Sequence, residues 1–164
     1  MKILPFIAGA VLAASTFTAA IAAPIPISRV SVTIGEDLAD KADKYGERDI
    51  NDLAERLRGS IERELGRSGA LAEDGARLEL VITDARPNRP TFREMANNPS
   101  LSFQSVSLGG AEIAGELITA DGTRTPVSYR WYENDLTESY YGWTWSDAYQ
   151  SFDQFARKVA DGRI

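Results

Sequence analysis

The sequence contains neither cysteine nor histidine. Without cysteine there is no disulfide staple, no thiolate nucleophile, and no residue to carry the lipid of a bacterial lipoprotein. Without histidine there is no Ser-His-Asp triad, and the usual zinc, iron and copper sets lose imidazole as well as thiolate donors. Lysine is absent between Lys44 and Lys158. The serines of 100–107 therefore have no lysine base close in sequence, and they read as the polar side of a strand. Positive charge is also short, with 18 Lys+Arg against 24 Asp+Glu and a net charge of -6. Such a chain is repelled by phosphate, which argues against nucleic acid and anionic membrane surfaces as partners.

What is present begins at the N-terminus. Met1 and Lys2 precede an apolar run from Ile3 to Ala14, a Ser/Thr/Ala stretch, and then Ala20-Ile21-Ala22-Ala23-Pro24. A short positive start, a hydrophobic segment and a small-residue cleavage site are the pattern of a secretory signal peptide. Cleavage after Ala22 places Ala20 and Ala22 where the peptidase inspects. The competing reading is a retained anchor. The stretch is long enough to span a bilayer, but Pro5, Gly9, Ser15, Thr16 and Thr18 interrupt it. The expected organisation is a signal peptide over 1–22 and one domain over 23–164. That domain is expected to be periplasmic or secreted, not lipidated, and not stably inserted in a membrane after cleavage.

In the domain, Arg29 to Ile34 alternates apolar and polar residues and reads as a strand. Glu36 to Arg48 is charge-rich and reads as a short helix or a loop with little burial. Leu53, Leu57, Ile61 and Leu65 recur every four residues, predicting an amphipathic helix over 51–65. Its cap is expected from Asp49 or Asn51. Arg77 to Ala85 is the second strand, parallel to the first across the helix. Pro87, Pro90 and Pro99 mark 87–101 as a surface loop. Ser102 to Thr119 reads as a long strand or strand pair with a bend at Gly109-Gly110. Asp121-Gly122 signals a hairpin, and Arg124 to Tyr132 returns. The last helix spans 146–160, with Ala148, Phe152, Phe155, Ala156 and Val159 as its buried stripe. Thr144 with Asp147 has the spacing of a capping box. The order predicts an α+β two-layer sandwich: one mixed four-stranded sheet with two helices on one face.

Several pieces carry a family resemblance: Arg86 to Arg93, Ser107-Leu108-Gly109-Gly110-Ala111, Asp121-Gly122, and Trp145-Ser146-Asp147-Ala148. In their order the chain resembles small Gram-negative envelope proteins with a β-α-β-β-β-α plan similar to the N-terminal domain of TolB. The resemblance implies a non-enzymatic role in the cell envelope and carries no catalytic residue across. Many members are lipidated; this sequence lacks the cysteine.

Two groups of residues are candidates for binding. Arg86, Arg89 and Arg93 on a proline-stiffened loop suit a carboxylate or phosphate, as on a lipid or glycan. The plainer reading pairs them with acids such as Asp84 and Glu94. The second group is aromatic and acidic: Tyr141, Trp143 and Trp145 with Glu133 and Asp135. Aromatic faces stack on sugar rings, and a glycosidase needs two carboxyl groups at fixed separation. The plainer reading is a packed core beside a solvated acidic loop. No metal, cofactor or catalytic residue is assigned. The expected function is binding of an envelope protein, or of a glycan or lipid component, without catalysis. The alternative is a carbohydrate-binding or carboxylate-dependent carbohydrate-active protein.

Overall fold

Alternation of β-branched and polar residues produces the first strand, β1 (Ile27–Ile34). The computed structural model describes residues 25–139 and 142–164, so the expected signal peptide and Tyr141 lie outside the described residues. Two single helical turns follow, α1 (Glu36–Ala39) and α2 (Ala42–Tyr45), and then the long helix α3 (Glu47–Ser68). Gly69 ends α3 in the left-handed conformation (φ 71°) and returns its N–H to the Leu65 carbonyl, a position that disfavours any side chain. Next come β2 (Ala76–Arg86), the short α4 (Phe92–Asn97), β3 (Gly110–Ile118), β4 (Arg124–Tyr132), the turn α5 (Leu136–Ser139) and α6 (Ser146–Ala160).

The strands form one mixed sheet in the order β1-β2-β3-β4, with β1 and β2 parallel and the other pairs antiparallel. Register aligns the apolar residues in rows. Ile34, Ile82, Ile113 and Tyr129 form one, and Val32, Leu80, Gly115 and Val127 another. Against this face pack α3, through Leu53, Leu57, Ile61 and Leu65, and α6, through Phe152, Phe155 and Val159, all fully buried. The helices are tied to each other as well: Ser60 donates to Asp153 at 2.7 Å, and Arg56 lies 3.2 Å from the same carboxylate. This is the α+β plan expected from the sequence, with α6 bounded at the residues anticipated.

A bulge in β2 sets the direction of one acidic side chain. Between Ile82 and Asp84 the register shifts by one residue, and the Thr83 hydroxyl donates to the Glu112 carbonyl. The extra residue keeps Ala85 inside and puts Asp84 on the opposite face.

The structure corrects several local expectations. The 36–48 segment is not lightly buried, because Leu38 and Tyr45 are core residues. Helix α3 starts at Glu47 with no side-chain cap; Asp49 instead accepts from the Trp145 indole N–H at 3.0 Å. The 87–101 segment is not simply a surface loop. Asn88 and Thr91 are buried, and Thr91 with Glu94 forms a capping box that starts α4. Strand β3 begins only at Gly110, so the 102–109 stretch is irregular. Thr144 and Asp147 do not cap α6; the Asp147 carboxylate bonds to other segments.

Candidate functional site

Three irregular segments meet where β2 ends and α6 begins, and buried Asn88 joins them. Its N–H donates to the Thr144 carbonyl at 2.9 Å, and its own carbonyl accepts from Ser107 N–H at 3.1 Å. Its side-chain amide donates to the Ser139 carbonyl at 3.3 Å, while its side-chain oxygen accepts from Asp147 N–H at 3.2 Å. A residue far away in sequence thus satisfies one of the free donors in the first turn of α6. The Asp147 carboxylate, buried at the positive end of that helix, accepts from Gly109 N–H at 3.0 Å and from the Ser139 hydroxyl at 2.7 Å. Gly109 is required by proximity: a Cβ there would lie 2.8 Å from the Arg86 carbonyl oxygen and 2.9 Å from the Asp147 Cβ.

On this clamp sits a ledge of aromatic residues. Arg89 donates to the Gly142 carbonyl at 2.6 Å and to the Phe103 carbonyl, bracing both loops. Phe103 meets Phe92 edge-on, with centroids 5.2 Å apart. Phe92 is 76% exposed and Trp143 is 85% exposed. Arg89, Phe103, Gly142 and Trp143 line a shallow recess of about 390 Å³.

Beside the ledge, and sharing Arg89 with it, is a cleft of about 350 Å³. Lys44, Arg86 and Arg89 bring positive charge to its walls and Glu94 a single carboxylate; Leu101, Val106 and Leu108 give it an apolar side. Lys44 Nζ lies 3.8 Å from Glu94. Arg86 donates from Nε to Asp84 at 3.2 Å and stacks on the Tyr132 ring at 4.8 Å. Asp84 also accepts from Lys41 at 2.6 Å and from the Tyr132 hydroxyl at 2.7 Å. Partial burial pushes the Asp84 carboxyl up, but the bonds from Lys41 and Tyr132 and the charges of Lys41 and Arg86 together hold it below the usual carboxylate value. Burial, and then the Asp84 carboxylate, push the Tyr132 phenol above the ordinary tyrosine range.

The structure therefore divides the residues singled out from sequence. Arg86 and Arg89 share the cleft. Arg93 does not join them: its guanidinium donates to the Asp43 carbonyl at 3.2 Å in a separate groove beside Gly46 and Glu47. Trp143 is on the surface, whereas Trp145 is 5% exposed and packs edge-on against Tyr45. Glu133 and Asp135 serve their own turn. Glu133 accepts from the N–H groups of Asn134 and Asp135, and Asp135 accepts from Thr137 N–H. Those bonds to Thr137 lower the Asp135 carboxyl. Among the described residues no three acidic side chains are grouped to hold a metal ion, and no helix is long and apolar enough to cross a membrane.

Sequence reading missed Lys44, Phe92 and Phe103. Phe92 had a usable signal, since Thr91 and Glu94 have the spacing of a capping box that makes Phe92 the first residue of a helix. Lys44 reaches the cleft only through the packing of α2 against α4. No protein-family model matches the chain. No curated protein matches it either.

Proposed function

We propose that this protein is an exported, non-catalytic binding protein whose aromatic ledge docks a protein of the cell envelope. The observation that carries this reading is Trp143, left 85% exposed across a recess from Phe103, which packs edge-on against exposed Phe92, on loops braced by Arg89 and Asn88. Clustered exposed aromatic side chains mark interaction surfaces, and rigid ones lose little entropy on docking. Covering a Trp of this kind commonly contributes about 2 kcal/mol or more to binding. Export is supported by the leader-like sequence of 1–22, and an envelope role by the resemblance to the TolB N-terminal plan. Of the two serines that line the cleft, Ser107 donates its hydroxyl to the Pro87 carbonyl at 2.8 Å rather than to a basic side chain.

The carbohydrate reading keeps Trp143 on the surface but not Trp145, which is interior, and Glu133 and Asp135 bond within their own turn. Affinity capture from crosslinked living cells tests the proposal. The wild-type protein is expected to recover a defined envelope protein that Trp143→Ala fails to recover. Recovery of glycan or lipid alone, or equal recovery by both proteins, would overturn it.

A further inference from the structure

We infer that the cleft beside the ledge takes an extended peptide carrying one carboxylate next to an apolar side chain, laid along residues 106–108. This rests on the reading of the ledge as a protein-docking face and names the chemistry that its neighbouring cleft selects.

Two independent features point to this ligand. The first is charge with unused hydrogen-bonding capacity. Arg86 has five N–H donors, but only Nε has a hydrogen-bond partner, Asp84, among the described residues. Its side chain is 57% exposed. Lys44 is held loosely, 3.4 Å from the Tyr45 hydroxyl and 3.8 Å from Glu94. An incoming carboxylate can be gripped by the Arg86 fork and met by the swinging Lys44 ammonium. Each cation already pairs with a protein carboxylate, Lys44 with Glu94 and Arg86 with Asp84, so the remaining capacity suits one negative charge better than a phosphate dianion.

The second feature is a free main-chain edge. Ser107 and Gly109 spend their N–H groups inward, on Asn88 and Asp147, while Ser105 closes a local turn onto the Ser102 carbonyl. Residues 105–108 all line the cleft, and the main-chain N–H groups of Val106 and Leu108 make no hydrogen bond among the described residues. In an extended segment alternate residues face opposite sides, so the open groups lie on a common side, as on a sheet edge. A peptide main chain supplies donors and acceptors at that repeat; a lipid headgroup does not. The apolar side chains of Leu101 and Leu108 then give a neighbouring apolar residue of the peptide a surface to cover.

The test is an array of random nine-residue peptides in two series, one with amidated and one with free C-termini, probed with the exported protein. Bound peptides are expected to be enriched in Asp or Glu beside Leu, Ile or Phe. Enrichment confined to the free-carboxylate series would make the terminal carboxylate the ligand, and enrichment in both the side-chain acid; either supports the inference. Binding of the selected peptides is expected to fall at least about tenfold in Lys44→Gln/Arg86→Gln and to weaken with added salt. In amide NMR spectra the Val106 and Leu108 signals are expected to shift on titration. Both cations are well exposed, so the double variant keeps the fold, as an unchanged urea midpoint will verify. Selection with preference for neither a side-chain nor a terminal carboxylate, equal binding by the double variant, or an array with no bound peptide would overturn the inference. Trp143→Ala separates the two proposals: it abolishes partner capture if the ledge reading holds, and leaves the acid preference of short peptides intact.

Discussion

Replacing Asn88 with Ala is the sharpest probe of the clamp beneath the site. The change deletes two side-chain hydrogen bonds, the one to the Ser139 carbonyl and the one from Asp147 N–H. Asn88 and Ser139 are fully buried and Asp147 nearly so, so water does not readily replace the lost partner. Each buried group left unpaired costs about 1–3 kcal/mol, so the expected loss for the two is roughly 2–6 kcal/mol. Against a typical total of about 5–15 kcal/mol that is a large fraction. With a urea dependence of about 2 kcal/mol per molar, the unfolding midpoint should fall by roughly 1–3 M. Urea denaturation followed by far-ultraviolet circular dichroism measures it. Asn88→Asp is the matched comparison: it keeps the acceptor for Asp147 N–H, loses the donor to Ser139, and brings a second carboxylate near that of Asp147. It should be at least as damaging. A midpoint within about 0.2 M of wild type for Asn88→Ala, on the same scale, would refute the idea that Asn88 joins the three segments.

Trp143→Ala should change stability by less than about 0.5 kcal/mol, whereas Trp145→Ala should cost about 3–5 kcal/mol, both read from urea midpoints. Gly109→Ala forces a Cβ to within 2.9 Å of Arg86 and Asp147 atoms and should lower the midpoint, whereas Gly59→Ala, inside α3 where a Cβ meets nothing within 4 Å, should not. Asp84, with its folded pKa depressed, contributes stability above its unfolded value of about 3.9 and loses it as pH falls through the folded value. The stability difference between wild type and Asp84→Asn, clear at pH 7, should accordingly shrink on acidification below about pH 4; a constant difference would contradict the Lys41–Asp84–Tyr132 network. Alkaline titration at 295 nm should show the Tyr132 phenol ionising at lower pH in Asp84→Asn than in wild type, still above the ordinary tyrosine range, because the variant removes the carboxylate but not the burial.

The framework was legible because periodicity reports burial directly. Leu53, Leu57, Ile61 and Leu65 recur at helical spacing, Phe152, Phe155 and Val159 form a stripe, and all seven are buried. Strand alternation gave β1 and β4 their inward faces. The site was less legible, because it is made by contacts between segments distant in sequence. Asn88 sits between two prolines and looks like a loop residue; its burial follows from partners 51 and 59 residues away. The Arg86, Arg89 and Arg93 grouping assumed one irregular loop, and α4 turns Arg93 away. Trp143 and Trp145 are two residues apart, yet one is in water and the other in the core, a division that no local period signals. The bulge at Thr83 is likewise silent in sequence, although it decides that Asp84 faces Lys41 and Tyr132.

The central claim is that the ledge of Phe92, Phe103 and Trp143 is the face the protein uses. The most direct measurement places a photoreactive amino acid at position 143 in living cells, with position 128 on the exposed side of the sheet as the comparison. The account predicts a discrete crosslinked product with an envelope protein from position 143 and none from 128. Crosslinking from 128 alone, or no product from 143, would contradict it.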